Sequence, residues 1–123
     1  MNAPDSSPEA HLPLTVPVFH ILLSLSDSEL HGYRIIADIA QRTHGDVTLT
    51  ASTLYAALKR LLESGLVEEL ADRPDPAQDD KRRRYYGITS LGRDVLQLEA
   101  ARLARCAEMA RAKQMLPASE SFR

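Results

Sequence analysis

HGYRIIADIAQRTHGDVTLTASTLYAALKRLLESG, residues 31–65, reads as two amphipathic helices separated by a short link. Tyr33, Ile36, Ile39 and Ala40 recur at helical spacing until Gly45, which predicts a helix over about 31–44. After residues 46–50, Leu54, Leu58, Leu61 and Leu62 form one stripe, entered through Thr50 or Ser52 and stopped by Gly65. Two helices joined by so short a turn are a helix-turn-helix unit, in which the second helix is the one that enters the major groove of DNA.

The flanks complete the pattern. Upstream, TVPVFHILLSLSD from Thr15 wraps Val18, Phe19, Leu22, Leu23 and Leu25 around most of a helix, with Pro17 tolerated in its first turn, so this helix should be largely buried. Downstream, LVEELADR and RRRYYGIT are strand-like runs on either side of PDPAQDDK, a polar hairpin tip. Alternation puts Arg82, Arg84, Tyr86 and Ile88 on one face, with Tyr86 and Ile88 pointing inward, and leaves Arg83 and an exposed Tyr85 on the other. Thr89 can cap a last helix, SLGRDVLQLEAARLARCAEMARAK, about 24 residues and about 35 Å long. Leu91, Val95 and Leu98 form one stripe on it, while Leu96, Ala100, Leu103, Ala107 and Ala110 form a second at spacings suited to a partner helix. Leu96 and Leu103 would be exposed in a monomer. The expected fold is mainly α with a small β-hairpin: a winged helix-turn-helix plus a long C-terminal dimerisation helix. Its expected parts are a flexible arm over 1–13, a DNA-binding domain over 14–89, the dimerisation helix over 90–115 and a flexible tail over 116–123.

Composition narrows the function. The 123 residues suit one compact domain with an appended element. No apolar stretch approaches the roughly 20 residues of a membrane span. The N-terminus lacks the basic and apolar regions of a secretory signal, so the expected location is cytoplasmic. A single cysteine, Cys106, excludes an intrachain disulfide and a Cys-rich zinc site. The four histidines show no metal-ligand spacing, Cys106 has no evident base, and no Gly-rich phosphate loop is present. Catalysis, metal and cofactor are therefore not expected. The whole chain carries a net charge of -2, but Lys81, Arg82, Arg83 and Arg84 follow one another directly after the acidic stretch 75–80.

In the second helix of the unit, the face opposite Leu54, Leu58 and Leu61 holds Ser52, Ala56, Lys59 and Glu63, flanked by Thr53 and Arg60. Ala56 allows close approach, Ser52 can donate to a phosphate or base, and Lys59 supplies charge, whereas Glu63 must lie beyond the groove. On the wing strand, the four successive bases can straddle a phosphate backbone or enter the minor groove. Asp79 and Asp80 are alternative partners for the same bases. His31 reads as a helix-start residue bonding nearby backbone, and Gly32 and Gly92 as points of close backbone approach.

HGYRI at 31–35, STLYAALKRLLESGLVEE at 52–69 and RRRYYGITSLGRDVL at 82–96 together resemble the PadR family of bacterial winged-helix transcriptional regulators, over about residues 15–105. The resemblance implies a homodimer joined chiefly by the C-terminal helix. It also implies a repressor that binds a pseudo-palindromic double-stranded operator upstream of its own or neighbouring genes. Carried onto this sequence, the family pattern puts Tyr33 near the DNA backbone and Thr53 and Tyr55 at the start of the recognition helix, with Lys59 a turn further along. For Tyr55, packing at the core edge and a phosphate contact both remain open. A small-molecule effector between the domains of a dimer is compatible with the family. The stacked-Trp drug pocket of some short relatives cannot form, because the chain has no Trp. The alternative function is a winged-helix protein-interaction module without DNA binding, which the acidic charge balance permits.

Overall fold

Residues 7–75 and 78–117 are described in the computed structural model, with the side chains of 72–75 and 78–82 outside that description. After a single 3-10 turn at Pro8–His11 come α1 (Val16–Leu25), β1 (Leu30–His31), α2 (Gly32–Arg42) and α3 (Ala51–Glu63). The hairpin β2 (Val67–Asp75) and β3 (Gln78–Ile88) follows, and then α4 (Ser90–Ala112). The sheet is antiparallel in the order β1-β3-β2. This is the expected winged helix-turn-helix followed by a long helix.

Each helix starts where a side chain can accept an otherwise orphaned backbone N–H. Thr15 accepts from Val18, His31 from Arg34 through Nδ1, Thr50 from Thr53 and Thr89 from Gly92. The expected helix-start role of His31 is therefore observed, and α3 enters through Thr50 rather than Ser52. Helix α3 ends at Gly65, whose φ of 79° lies in the left-handed region that a side chain would disfavour. The Leu66 N–H then donates to the Leu61 carbonyl at 3.0 Å and closes the helix end.

The core gathers Ile21, Leu22 and Leu25 of α1, Ile35 and Ile39 of α2, and Leu54, Ala57, Leu58 and Leu61 of α3. Leu66, Val67, Tyr86, Val95 and Leu96 complete it. A polar network lies on the α1–α2 contact. Ser24 donates to Asp38 at 2.7 Å, and Arg42 donates to Ser24 at 2.6 Å and to the His20 carbonyl at 3.1 Å. A second Arg42 nitrogen lies 3.0 Å from His20 Nδ1. Burial, and then the adjacent Arg42 charge, lower the His20 pKa; neutral His20 can then accept from Arg42.

The structure corrects four expectations. Tyr85 is buried at 8% exposure, because β1 pairs with β3 and sets His31 edge-on to the Tyr85 ring, 5.5 Å between centroids. Alternation alone had left that face open. Leu96 is also buried, at 6% exposure, because α4 turns a wide arc of Gly92, Val95, Leu96 and Glu99 toward its own domain. The polar tip expected over 74–81 shrinks, since strand pairing reaches Asp75 and Gln78. Pro74 is accommodated because β2 is an edge strand. Within the expected arm, residues 8–11 form the 3-10 turn against α4 and Leu12 packs on the core, as does Leu14 just beyond the arm. There the Leu14 N–H donates to buried Glu99 at 3.1 Å, and Arg102 donates to both Glu99 oxygens at 2.6 and 2.9 Å. The Arg102 hydrogen bonds lower the Glu99 pKa against its desolvation. Residues 1–6 of the arm and 118–123 of the expected tail lie outside the described residues.

Candidate nucleic-acid interface

Helix α3 turns Leu54, Ala57, Leu58 and Leu61 into the core, and that rotation fixes its outer face. Ser52, Thr53, Tyr55, Ala56, Lys59, Arg60 and Glu63 are all exposed. Small groups and hydroxyls cluster at the N-terminal end, with Lys59 and Arg60 a turn or more further on. The Thr50 hydroxyl donates to the Thr53 hydroxyl at 3.0 Å and lies 3.3 Å from that of Ser52, so the first turn presents an ordered set of hydroxyls. Glu63 is the last residue of the helix.

Residues 31–33 join this helix to the wing. Leu30 and His31 pair in register with Tyr86 and Tyr85, which fixes β3 to the start of α2. Gly32 lies under the tip of the Tyr55 side chain: a Cβ there would overlap the Tyr55 hydroxyl and come 2.7 Å from Tyr55 Cζ. Tyr55 therefore packs at the junction of α2 and α3 while remaining 41% exposed. Tyr33, 53% exposed in the first turn of α2, lies beneath Arg83 of the wing, whose Cζ is 5.0 Å from the ring centroid. The recognition-type helix, the helix before it and the wing thus meet through three consecutive residues.

The wing bases divide. Arg83 is half-buried over Tyr33. Arg84 reaches Glu69 across the hairpin at 3.0 Å, an exposed ion pair of the kind that is worth little in water. This partner is not legible in the sequence, because the diagonal between Glu69 and Arg84 follows only from the register that pairs Glu69 with Tyr86. The side chains of Lys81, Arg82, Asp79 and Asp80 lie outside the described residues.

On α4, no residue beyond Glu99 is buried. Ala100 is exposed, Leu103 is 40% exposed, Ala107 and Ala110 are half-buried, and Met109 and Cys106 are exposed. The segment beyond Glu99 extends for about 20 Å at 1.5 Å per residue. No described helix is long and apolar enough to cross a membrane.

The model of the transcriptional regulator PadR-like family matches residues 21–98. An uncharacterised protein of Lysinibacillus sphaericus is 33% identical over 76 residues, covering 62% of this chain and 67% of that one. Among solved structures, a transcriptional regulator from Clostridium thermocellum superposes with a TM-score of 0.66 at 20% identity, over 90% of this chain and 97% of the other. PadR of Bacillus subtilis, solved in complex with operator DNA, gives a TM-score of 0.57 at 23% identity, over 68% of this chain and 46% of that chain. At these identities the structural matches establish a shared fold.

Proposed function

The chain belongs to the PadR-like family of transcriptional regulators, and from that premise we propose that it binds a pseudo-palindromic operator as a homodimer and represses its own or neighbouring genes. The observation that carries the proposal is the exposed face of α3 held in fixed relation to wing residue Arg83 through residues 31–33. Such a pairing supplies a helix for the major groove and a cation for the adjoining backbone. Ser52, Thr53, Ala56 and Lys59 face the groove, with Arg60 at its edge. Tyr33, Tyr55 and the wing bases Lys81, Arg82, Arg83 and Arg84 lie along the phosphates. The expected DNA-binding part, 14–89, is extended by the packed residues 8–13 and by α4 as far as Glu99, and of the expected dimerisation helix, 90–115, the residues beyond Glu99 are assigned to the dimer contact.

The dimer is supported by the apolar side chains that α4 leaves uncovered beyond Glu99. Leu103 is the centre of the contact, with Ala100, Ala107 and Ala110 allowing a second helix to approach. Because Leu96 belongs to the core of its own chain, the dimer seam begins one turn later than the sequence pattern implied. A two-fold pair would set the two α3 helices at one fixed spacing, which a palindromic operator requires. A small-molecule effector acting between the domains of this dimer remains part of the proposal, without a stacked-Trp pocket.

Footprinting on the DNA upstream of the chain's own gene tests the function. Two protected half-sites about one helical turn apart are expected. Uniform or absent protection would contradict it and favour the interaction module.

A further inference from the structure

We propose that Tyr33 is a positioning residue for Arg83, its ring orienting the wing guanidinium relative to the first turn of α2. The inference rests on the DNA-binding function above and assigns the aromatic ring, rather than the hydroxyl, the principal role.

Arginine carries a large rotamer entropy, part of which is lost whenever its head is fixed on a phosphate. Stacking on a ring removes some of that freedom in the unbound protein. It uses the flat face of the guanidinium, whereas phosphate binding uses the N–H edge, so both contacts can exist together. Arg83 Cζ lies over the Tyr33 ring at 5.0 Å from its centroid, within the range of such a contact. Position on the wing adds to the need for such a contact. The β2–β3 register shifts between Leu70 and Arg73, so the hairpin beyond Leu70 is displaced from the regular ladder that joins it to the domain. Arg83 lies just past this irregularity, opposite Arg73, and its stack reaches back to the first turn of α2. The same turn carries Gly32, over which Tyr55 of α3 lies. Fixing Arg83 to Tyr33 therefore fixes the wing cation relative to the groove-facing helix.

An exposed cation–π contact is worth about 0.5–1 kcal/mol, roughly two- to fivefold in affinity for each wing and about five- to thirtyfold for the two wings of a dimer. Affinity falls in proportion to the fraction of molecules in the competent arrangement. Fluorescence anisotropy with a duplex from the region upstream of the chain's own gene, on wild type, Tyr33→Phe, Tyr33→Leu, Arg83→Ala and the Tyr33→Leu/Arg83→Ala double variant, tests this directly. Tyr33→Phe, which keeps the ring over which Arg83 lies, should lose less than Tyr33→Leu. Tyr33→Leu should lose about five- to thirtyfold, yet keep the wild-type salt slope because Arg83 still reaches its phosphate. Arg83→Ala, which removes one phosphate contact from each wing of the dimer, should make that slope shallower by about 1.8, and adding Tyr33→Leu to it should cost nothing more. A loss in Tyr33→Phe equal to that in Tyr33→Leu would overturn the inference in favour of a hydroxyl contact. A Tyr33→Leu loss that persists without Arg83 would overturn it in favour of independent roles. A wild-type chain that binds no duplex at low salt would instead remove the DNA-binding function itself, and this inference with it.

Discussion

Replacing Gly92 by Ala should strain the docking of α4 against the body of the domain. A Cβ at Gly92 would overlap the Leu66 carbonyl oxygen and lie 3.0 Å from the Leu66 carbonyl carbon and 2.9 Å from Ile88 Cγ1. Carbon atoms pack best at about 3.5–4.0 Å, so the methyl needs roughly 0.5–1 Å more room on two sides. No rotamer change can supply it, because the nearest obstacle is backbone. That backbone is tied to the start of α4 by the Thr89 N–H, which donates to the Leu66 carbonyl at 3.1 Å, and by the Thr89 hydroxyl, which donates to Gly65 at 2.6 Å. Overpacking costs about 1–3 kcal/mol, and stretching a hydrogen bond adds about 1 kcal/mol. The gain in helix propensity returns at most about 1 kcal/mol. The net expectation is a loss of about 1–3 kcal/mol, read as a lower urea midpoint at fixed protein concentration with an unchanged slope. Gly32→Ala is the control, since its obstacle is the tip of the half-exposed Tyr55 side chain, which can swing outward. It should stay within about 1 kcal/mol of wild type. A Gly92→Ala protein as stable as wild type, or a Gly32→Ala protein that loses more, would refute this account of the α4 docking.

Three further outcomes are expected. Leu103→Glu should shift the chain from dimer to monomer in light scattering at micromolar concentration, and a wild-type mass near 13.6 kDa throughout would contradict the dimer. Lys59→Ala should weaken operator binding by anisotropy by about tenfold, while Glu63→Ala should not, and equal losses would mean that the groove face of α3 is wrongly assigned. His20 has a lowered pKa in the fold, so its contribution to stability is complete above the unfolded value of about 6.5 and is lost as pH falls through the lower folded value. Urea midpoints compared at about pH 7.5 and 5.5 should therefore fall more in wild type than in His20→Gln, and an equal fall in both would show that His20 is not responsible.

What the sequence disclosed followed the range of each interaction. Helix α3 was legible because its leucine stripe, its Thr50 cap and its Gly65 stop are all local. The exposure of Ser52, Thr53, Ala56 and Lys59 then followed from helical rotation alone. Strand β1 was not legible, since two residues carry no period and acquire meaning only by pairing with Tyr86 and Tyr85. The burial of Tyr85 was lost with it. The segment 8–14 has no periodicity and is held by Leu12, Leu14 and a bond to Glu99, 85 positions away. Leu96 sits where two faces of α4 meet, and only the packing of the domain decides which one it joins. The contact of Arg83 with Tyr33 also joins positions distant in the chain, and no local pattern pairs them.

The most direct measurement of the central claim is the salt dependence of binding to a duplex taken from upstream of the chain's own gene. A dimer that neutralises six or more phosphates should show log affinity falling linearly with log salt at a slope of about -5 or steeper, and should bind that duplex at least about a thousandfold more tightly than unrelated DNA at the same salt. Affinity that is unchanged between about 50 and 200 mM salt, or equal for both duplexes, would contradict sequence-specific operator binding.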